Sequence, residues 1–229
     1  MPPGKRSNPL ALAVLVCLAE RPMHPYEVAQ TLRTRHKDDS VRLNYGSLYA
    51  VVEGLARRGL IEAAETERAG RLPERTIYRI TDPGLEEMHA WLAELLAVPT
   101  KEYPAFEAAL SFLPALSPGE ARSLLAERIE RLEVELASAA ALRELVEKAH
   151  LPRLFWVEAE YATTLRQTEL DFARRLAADI EAGTLDGLAW WRQVHDRPDG
   201  PVPPPPPWGP DDIPDQPDTP AADHDQEQR

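Results

Sequence analysis

Between residues 44 and 57 the sequence sets Asn44, Tyr45, Ser47, Tyr49, Glu53 and Arg57 beside three small residues, Gly46, Ala50 and Gly54. At helical spacing these lie opposite Leu48, Val51, Val52 and Leu55, which follow the i, i+3, i+4, i+7 pattern of a core stripe. Hydroxyl and carboxylate groups on such a face can hydrogen-bond to base edges. Ser47, Tyr49 and Glu53 are the candidates, a glutamate being able to accept from the cytosine amino group. Asn44 and Tyr45 sit where a helix start leaves free amides and suit backbone phosphates. The small residues cost helix propensity, but they let a backbone approach closely, as insertion into a groove about 12 Å wide requires. Downstream, Arg68, Arg71 and Arg75 surround the turn residues Gly70 and Pro73, and upstream lie Lys5 and Arg6. These cations suit a flanking sugar-phosphate backbone or the minor groove, Lys5 and Arg6 as an N-terminal arm.

Plainer roles compete for several of these residues. Tyr45 and Tyr49 equally suit core rings with a hydroxyl at the surface. Arg57 and Arg58 equally suit the last turn of a helix, where cations complement the dipole. His24 reads as a helix-start residue and Cys17 as a small core residue. With a single cysteine, neither an internal disulfide nor a cysteine-based zinc site is possible. His89, His150 and His195 have no metal-site spacing. No Ser/His/Asp grouping in loop context, phosphate-cradling glycine-rich loop or pair of acids with a plausible cleft is present, so neither enzymatic activity nor a cofactor is expected.

The formal net charge of -12 is unevenly spread. Residues 1–80 hold 13 Lys+Arg against 9 Asp+Glu, a balance of +4, and the remainder holds 13 against 29, a balance of -16. The N-terminal third can therefore face phosphates while the rest carries the acid. No run of about 18 uncharged apolar residues exists to span a bilayer, and the N-terminus makes a poor signal peptide. A cytoplasmic location is expected.

The elements that must position the candidate face follow from local signals. Asn8-Pro9 is a good helix start, and Leu10, Leu12, Val14, Leu15, Val16 and Leu18 surround that helix, predicting burial nearly all round. A second helix starts near Pro25 with Val28, Ala29 and Leu32 inward. The third runs from an N-cap at Asn44 to Gly59, a left-handed stop. Two β-prone stretches, 60–66 and 75–80, flank the Arg68–Arg71 turn. Three short helices and a hairpin are the order of a winged helix. The expected fold class is mainly α with a small β-hairpin wing: an N-terminal winged helix-turn-helix, residues 1–98, plus a C-terminal helical dimerisation domain, residues 99–195.

Residues 10–97 resemble the PadR-like family of winged-helix regulators. The matching stretches are Leu10-Ala-Leu-Ala-Val-Leu15, Pro22-Met-His-Pro-Tyr-Glu27, Tyr45-Gly-Ser-Leu-Tyr49, Leu55-Ala-Arg-Arg-Gly-Leu-Ile61 and Tyr78-Arg-Ile-Thr-Asp-Pro-Gly84. Pro25 stands where the family usually has Gly, and Ala50 where it usually has Pro; neither threatens the fold. The resemblance implies a homodimeric DNA-binding transcription regulator, more often a repressor than an activator, of the subgroup with a full helical C-terminal domain. It also implies that some members bind aromatic or drug-like molecules. The competing function is a protein-interaction scaffold built on a winged helix that has lost DNA binding.

In the C-terminal half, Thr81 caps a helix with Leu85, Met88, Leu92 and Leu95 in one stripe, ended by Pro99. Residues 102–113 predict a short helix. Ser117-Pro-Gly-Glu120 is a capping box opening a long helix, where Leu125, Ile129, Leu132, Leu136 and Ala139 step by 4, 3, 4, 3 as a coiled-coil seam does. Two heptads are few, and antiparallel packing within the chain competes. A final long helix, residues 153–182, is expected to turn Val157, Tyr161, Leu165, Phe172 and Leu176 inward. So much apolar stripe predicts a dimer interface carried by Leu125, Ile129, Leu132, Leu136, Tyr161, Leu165 and Phe172, which would present two recognition helices to a palindromic operator in double-stranded DNA. Trp91, Trp156 and Tyr161 are candidates for the pocket of a small aromatic effector, although aromatics at helical spacing are more often plain core. Residues 196–229, rich in Pro and Asp, cannot bury enough apolar surface to fold and are expected to be disordered, with an extended proline run.

Overall fold

The computed structural model describes residues 8–67 and 75–196. The described chain divides into two compact units that meet at Glu102 and Tyr103. Arg68, Arg71, Lys5, Arg6 and the tail beyond residue 196 lie outside the described residues.

In the N-terminal unit, α1 (Pro9–Glu20) is capped by Asn8, whose side chain accepts from the amide of Leu10. Leu10, Leu12, Val14, Leu15, Cys17 and Leu18 are buried. Val16 is the exception to the all-round burial that composition predicts: it is 37% exposed, because no described element covers that side. In α2 (Pro25–Thr34) a capping box joins His24 and Glu27, and the inward residues are Val28, Ala29 and Leu32. A single 3-10 turn (Lys37–Asp39) leads on to α3 (Tyr45–Arg57), capped by Asn44 and followed by Gly59 at φ +70°. Leu48, Val52 and Leu55 anchor α3, with Val51 half-buried beside them.

Strands β1 (Ile61–Glu67) and β2 (Arg75–Ile80) form an antiparallel hairpin in which Ile61 faces Ile80 and Glu67 faces Arg75, with an irregularity between Ala63 and Glu65. Met23 extends this pairing, exchanging two backbone hydrogen bonds of 3.0 Å with Tyr78. Helix α4 (Asp82–Ala97) begins at Thr81 and packs so closely that a Cβ on Gly84 would stand 2.0 Å from the Leu60 carbonyl oxygen. Its last turn and a half does not reach the core. Gly84, Met88 and Trp91 are buried, whereas Leu92 and Leu95 are 36% and 48% exposed. The expected stripe through Leu92 and Leu95 is thus rotated toward Trp91.

The C-terminal unit opens with α5 (Ala105–Ser111), shorter than expected because Pro104 stands at its N-cap. A 3-10 turn (Leu113–Ala115) precedes α6 (Pro118–Lys148), whose capping box of Ser117 and Glu120 forms as read from the sequence. A second 3-10 turn (Arg153–Phe155) leads to α7 (Val157–Ala182), stopped by Gly183 at φ +78°, and the unit ends with α8 (Leu188–His195). The seam residues Leu125 and Ile129 of α6 join a cluster with Ala173 and Ile180 of α7. The ion pairs Arg122–Glu181, Arg174–Glu133 and Arg166–Glu135 run in antiparallel order along the two helices. The seam is therefore used inside the chain. The inward face of α7 is Leu170, Ala173 and Ile180. Val157, Tyr161, Leu165 and Phe172, expected to face inward, are 45%, 66%, 52% and 42% exposed. Helix α7 carries apolar residues on two faces; the described residues cover one and leave the other largely open, with Phe172 meeting Phe106 edge-on at 6.4 Å. Leu188 and Trp191 of α8 are buried within the unit, and the Trp191 indole donates to the Leu116 carbonyl at 2.6 Å.

Candidate nucleic-acid interface

The face of α3 opposite Leu48, Val52 and Leu55 is open. Asn44, Tyr45, Gly46, Ser47, Tyr49, Ala50, Glu53 and Arg57 are all exposed. Asn44 spends its side-chain oxygen on the Gly46 amide at 2.9 Å, so it serves first as a cap. Glu53 and Arg57 form an exposed pair at 3.8 Å one turn apart. Arg58 instead ties α3 to α4 through Glu87 at 3.1 Å, which gives the last turn of α3 a structural anchor.

Neither glycine of this face is demanded by the chain's own packing. A Cβ on Gly46 would meet nothing nearer than Asn44 Oδ1 at 3.5 Å, and one on Gly54 nothing nearer than Arg57 Nη2 at 3.8 Å. Gly84, by contrast, is sterically required. Among the described residues, then, no packing demand explains the small residues of this face.

The structure adds neighbours from α2 to this face. Tyr26 and Tyr45 stack with ring centroids 6.3 Å apart and planes 12° apart. The Arg33 guanidinium lies 4.8 Å from the Tyr45 ring centre and donates to its hydroxyl at 2.7 Å. His24 meets Tyr49 edge-on at 6.5 Å. Tyr45 and Tyr49, 37% and 43% exposed, are surface rings braced by α2 residues. Tyr26, Gln30 and Arg33 escaped the sequence reading, although their i, i+4, i+7 spacing opposite Val28, Ala29 and Leu32 marks them as one outer face. Arg75 closes the β2 end of the hairpin, opposite Glu67.

Two further groups were singled out from sequence. Trp91 is 3% exposed in the N-terminal core, which accounts for it as a packing residue. In the other unit, Trp156 donates its indole N–H to the Leu151 carbonyl at 3.3 Å under the Arg143 guanidinium, closing the turn between α6 and α7. Neither tryptophan, nor Tyr161, lines the open cavity of about 380 Å³ between α5 and α6, whose walls include Phe106, Leu110, Leu113, Leu124 and Arg128. Of the interface candidates, Leu125 and Leu132 are buried, Ile129 and Leu136 half-buried, and Tyr161, Leu165 and Phe172 exposed. Among the described residues no group of three or more His, Cys, Asp or Glu could hold a metal ion. No described helix is long and apolar enough to cross a membrane.

Residues 14–90 match the model of the transcriptional regulator PadR-like family. The N-terminal unit has the PadR-like winged-helix fold. The chain is similar in fold to PadR of Bacillus subtilis in complex with operator DNA, at 19% identity over 76% of this chain and 99% of that one, with a TM-score of 0.62. The same protein in complex with p-coumaric acid aligns at 18% identity over 75% and 98%, with a TM-score of 0.61. The virulence activator AphA of Vibrio cholerae aligns at 19% identity over 76% and 99%, with a TM-score of 0.59. Comparison with curated proteins gives no match. The PadR-like fold of these neighbours covers most of the chain, C-terminal helices included.

Proposed function

We propose that this PadR-like chain is a dimeric, DNA-binding transcriptional repressor that lays α3 in the major groove and the residue 67–75 wing on the backbone or in the minor groove. The observation that carries the reading is the outer face of α3, exposed and built of small, hydroxyl and amide residues while its inner face is locked into the core. A groove-binding helix needs that combination: rigid anchoring behind, close backbone approach in front. Ser47, Tyr49 and Glu53 read base edges. Asn44, Tyr45, Arg57, Arg68, Arg71, Arg75, Lys5 and Arg6 meet the backbone, supported by the +4 balance of residues 1–80.

Dimerisation through the C-terminal unit is supported by the exposed apolar face of α7, Tyr161 and Leu165, with Phe172 partly exposed beside Phe106 of the same chain. Leu125, Ile129, Leu132 and Leu136 have a smaller part in it, since α7 of the same chain already occupies their seam. A small aromatic effector belongs to the reading through the neighbour that holds p-coumaric acid. Mobility shifts with genomic fragments, starting from the gene's own upstream region, test the proposal at physiological salt. Specific retention of a palindromic fragment supports it, and failure with every fragment overturns it. Sedimentation of Phe172→Glu tests the interface, where an unchanged dimer would remove α7 from it.

A further inference from the structure

Resting on the DNA-binding reading above, we propose that Tyr26, Tyr45 and Arg33 form a site for one backbone phosphate of duplex DNA, with Arg33 as the residue that positions the Tyr45 ring. All three side chains are exposed, so their arrangement contributes little to the core. Holding three long side chains in one geometry costs rotamer freedom, yet here they are cross-linked. Tyr26 stacks on Tyr45, Arg33 lies over the Tyr45 ring, and hydrogen bonds run from Arg33 Nη1 to the Tyr45 hydroxyl (2.7 Å) and from Gln30 Nε2 to the Tyr26 hydroxyl (3.2 Å).

Hydrogen-bond accounting shows what such a cluster offers. Each phenolic oxygen accepts a bond from within the cluster, so each O–H proton is available to a group outside it. Among the described residues Arg33 has spent one N–H of five, and its charge stays. Two hydroxyl donors and a guanidinium make an acceptor-only anion the fitting ligand, and a phosphodiester with its single negative charge matches the single cation. Two of the nearby backbone amides are already engaged. The Tyr26 amide is taken by His24 Nδ1 at 3.1 Å and the Gly46 amide by Asn44 Oδ1 at 2.9 Å. Because Tyr45 is the first residue of α3, the bound phosphate belongs to the strand bordering the groove that α3 enters.

Replacing single phosphates of a bound operator by neutral methylphosphonates tests the site. Wild type is expected to lose about tenfold in affinity at one position per half-site. Arg33→Met, and the pair Tyr26→Phe with Tyr45→Phe, should lose a similar factor on unmodified DNA and become insensitive to that same substitution. Arg33→Met should also lower the salt slope by about one, whereas Arg33→Lys should keep the slope and still bind more weakly, lacking the planar fork. Losses that simply add at every position would overturn the proposal. So would titration with inorganic phosphate that perturbs Tyr26 and Tyr45 while operator affinity ignores the variants, which would indicate a free-anion site. If wild type binds no duplex, the DNA-binding reading itself falls; if wild type binds and the variants stay equally sensitive, only the phosphate site falls.

Discussion

Replacing Gly54 by Ala should change folding and DNA binding in opposite directions. Gly54 lies in the interior of α3, where glycine costs about 0.8–1 kcal/mol relative to alanine. The added methyl group would meet only the mobile end of Arg57, at 3.8 Å, so no steric cost offsets that gain. For a unit of about 100 residues the melting temperature should rise by roughly 4–8 °C per kcal/mol. On DNA the same methyl would stand between the helix backbone and the groove wall, and a tenfold loss of affinity, about 1.4 kcal/mol, is expected. Gly46→Ala should show the binding loss with a smaller gain in stability, because it lies in the first turn. Thermal unfolding and fluorescence anisotropy at fixed salt measure the two effects on one preparation. Stabilised variants that bind DNA as wild type does would refute the close-approach argument, and a fall in melting temperature would refute the packing argument.

Gly84→Ala should be strongly destabilising, by about 1–3 kcal/mol or more, since its Cβ would stand 2.0 Å from the Leu60 carbonyl oxygen and 2.8 Å from Ile80; urea unfolding with an unchanged midpoint would contradict the packing. Cys17 is 2% exposed and burial pushes its thiol up to about 11. The protonated form is thus favoured by folding, so the associated stability is complete below about pH 9 and is lost as pH rises toward 11. Wild type should lose melting temperature over that range faster than Cys17→Ala, and a thiol reagent at pH 8 should modify the thiol only at the unfolding rate. Trp191→Phe removes the donor to the Leu116 carbonyl, which should cost about 1–3 kcal/mol, read from denaturant unfolding of the full chain; no change would show that the bond adds nothing.

The parts of the fold legible in the sequence are those fixed by neighbours along the chain. Asn8, Asn44, Thr81 and Ser117 each cap the helix that their type and position announce, because a cap needs only amides two or three residues away. Which face of an apolar helix is covered was harder to read. Helices α4 and α7 carry leucines or aromatics on more than one side. Periodicity alone favours the longer stripe, Leu85–Leu95 in one and Val157–Phe172 in the other, whereas the structure buries Trp91 and Leu170 instead. The Tyr26–Tyr45–Arg33 cluster was out of reach for a related reason. Its members lie on two helices, and nothing local says that residue 33 meets residue 45.

The misread faces bear on function, because a stripe strong enough to suggest burial and left uncovered by its own chain still has to be explained. Large apolar patches on a monomer's surface are uncommon and mark contact sites. Val157, Tyr161 and Leu165 recur exposed along one side of α7, Phe172 beside them meets Phe106, and Ala173 and Ile180 already pack with α6. A helix whose only task was to complete the antiparallel pair would gain by carrying charge on that outer side. The second face of α7 is thus best understood as selected for a partner. A second copy is the economical partner, since linking two modest DNA-binding units raises the local concentration of the second to the millimolar range once the first is bound. On that argument a single N-terminal unit need not bind DNA tightly by itself, and under the proposed function the C-terminal unit would serve to bring two of them together.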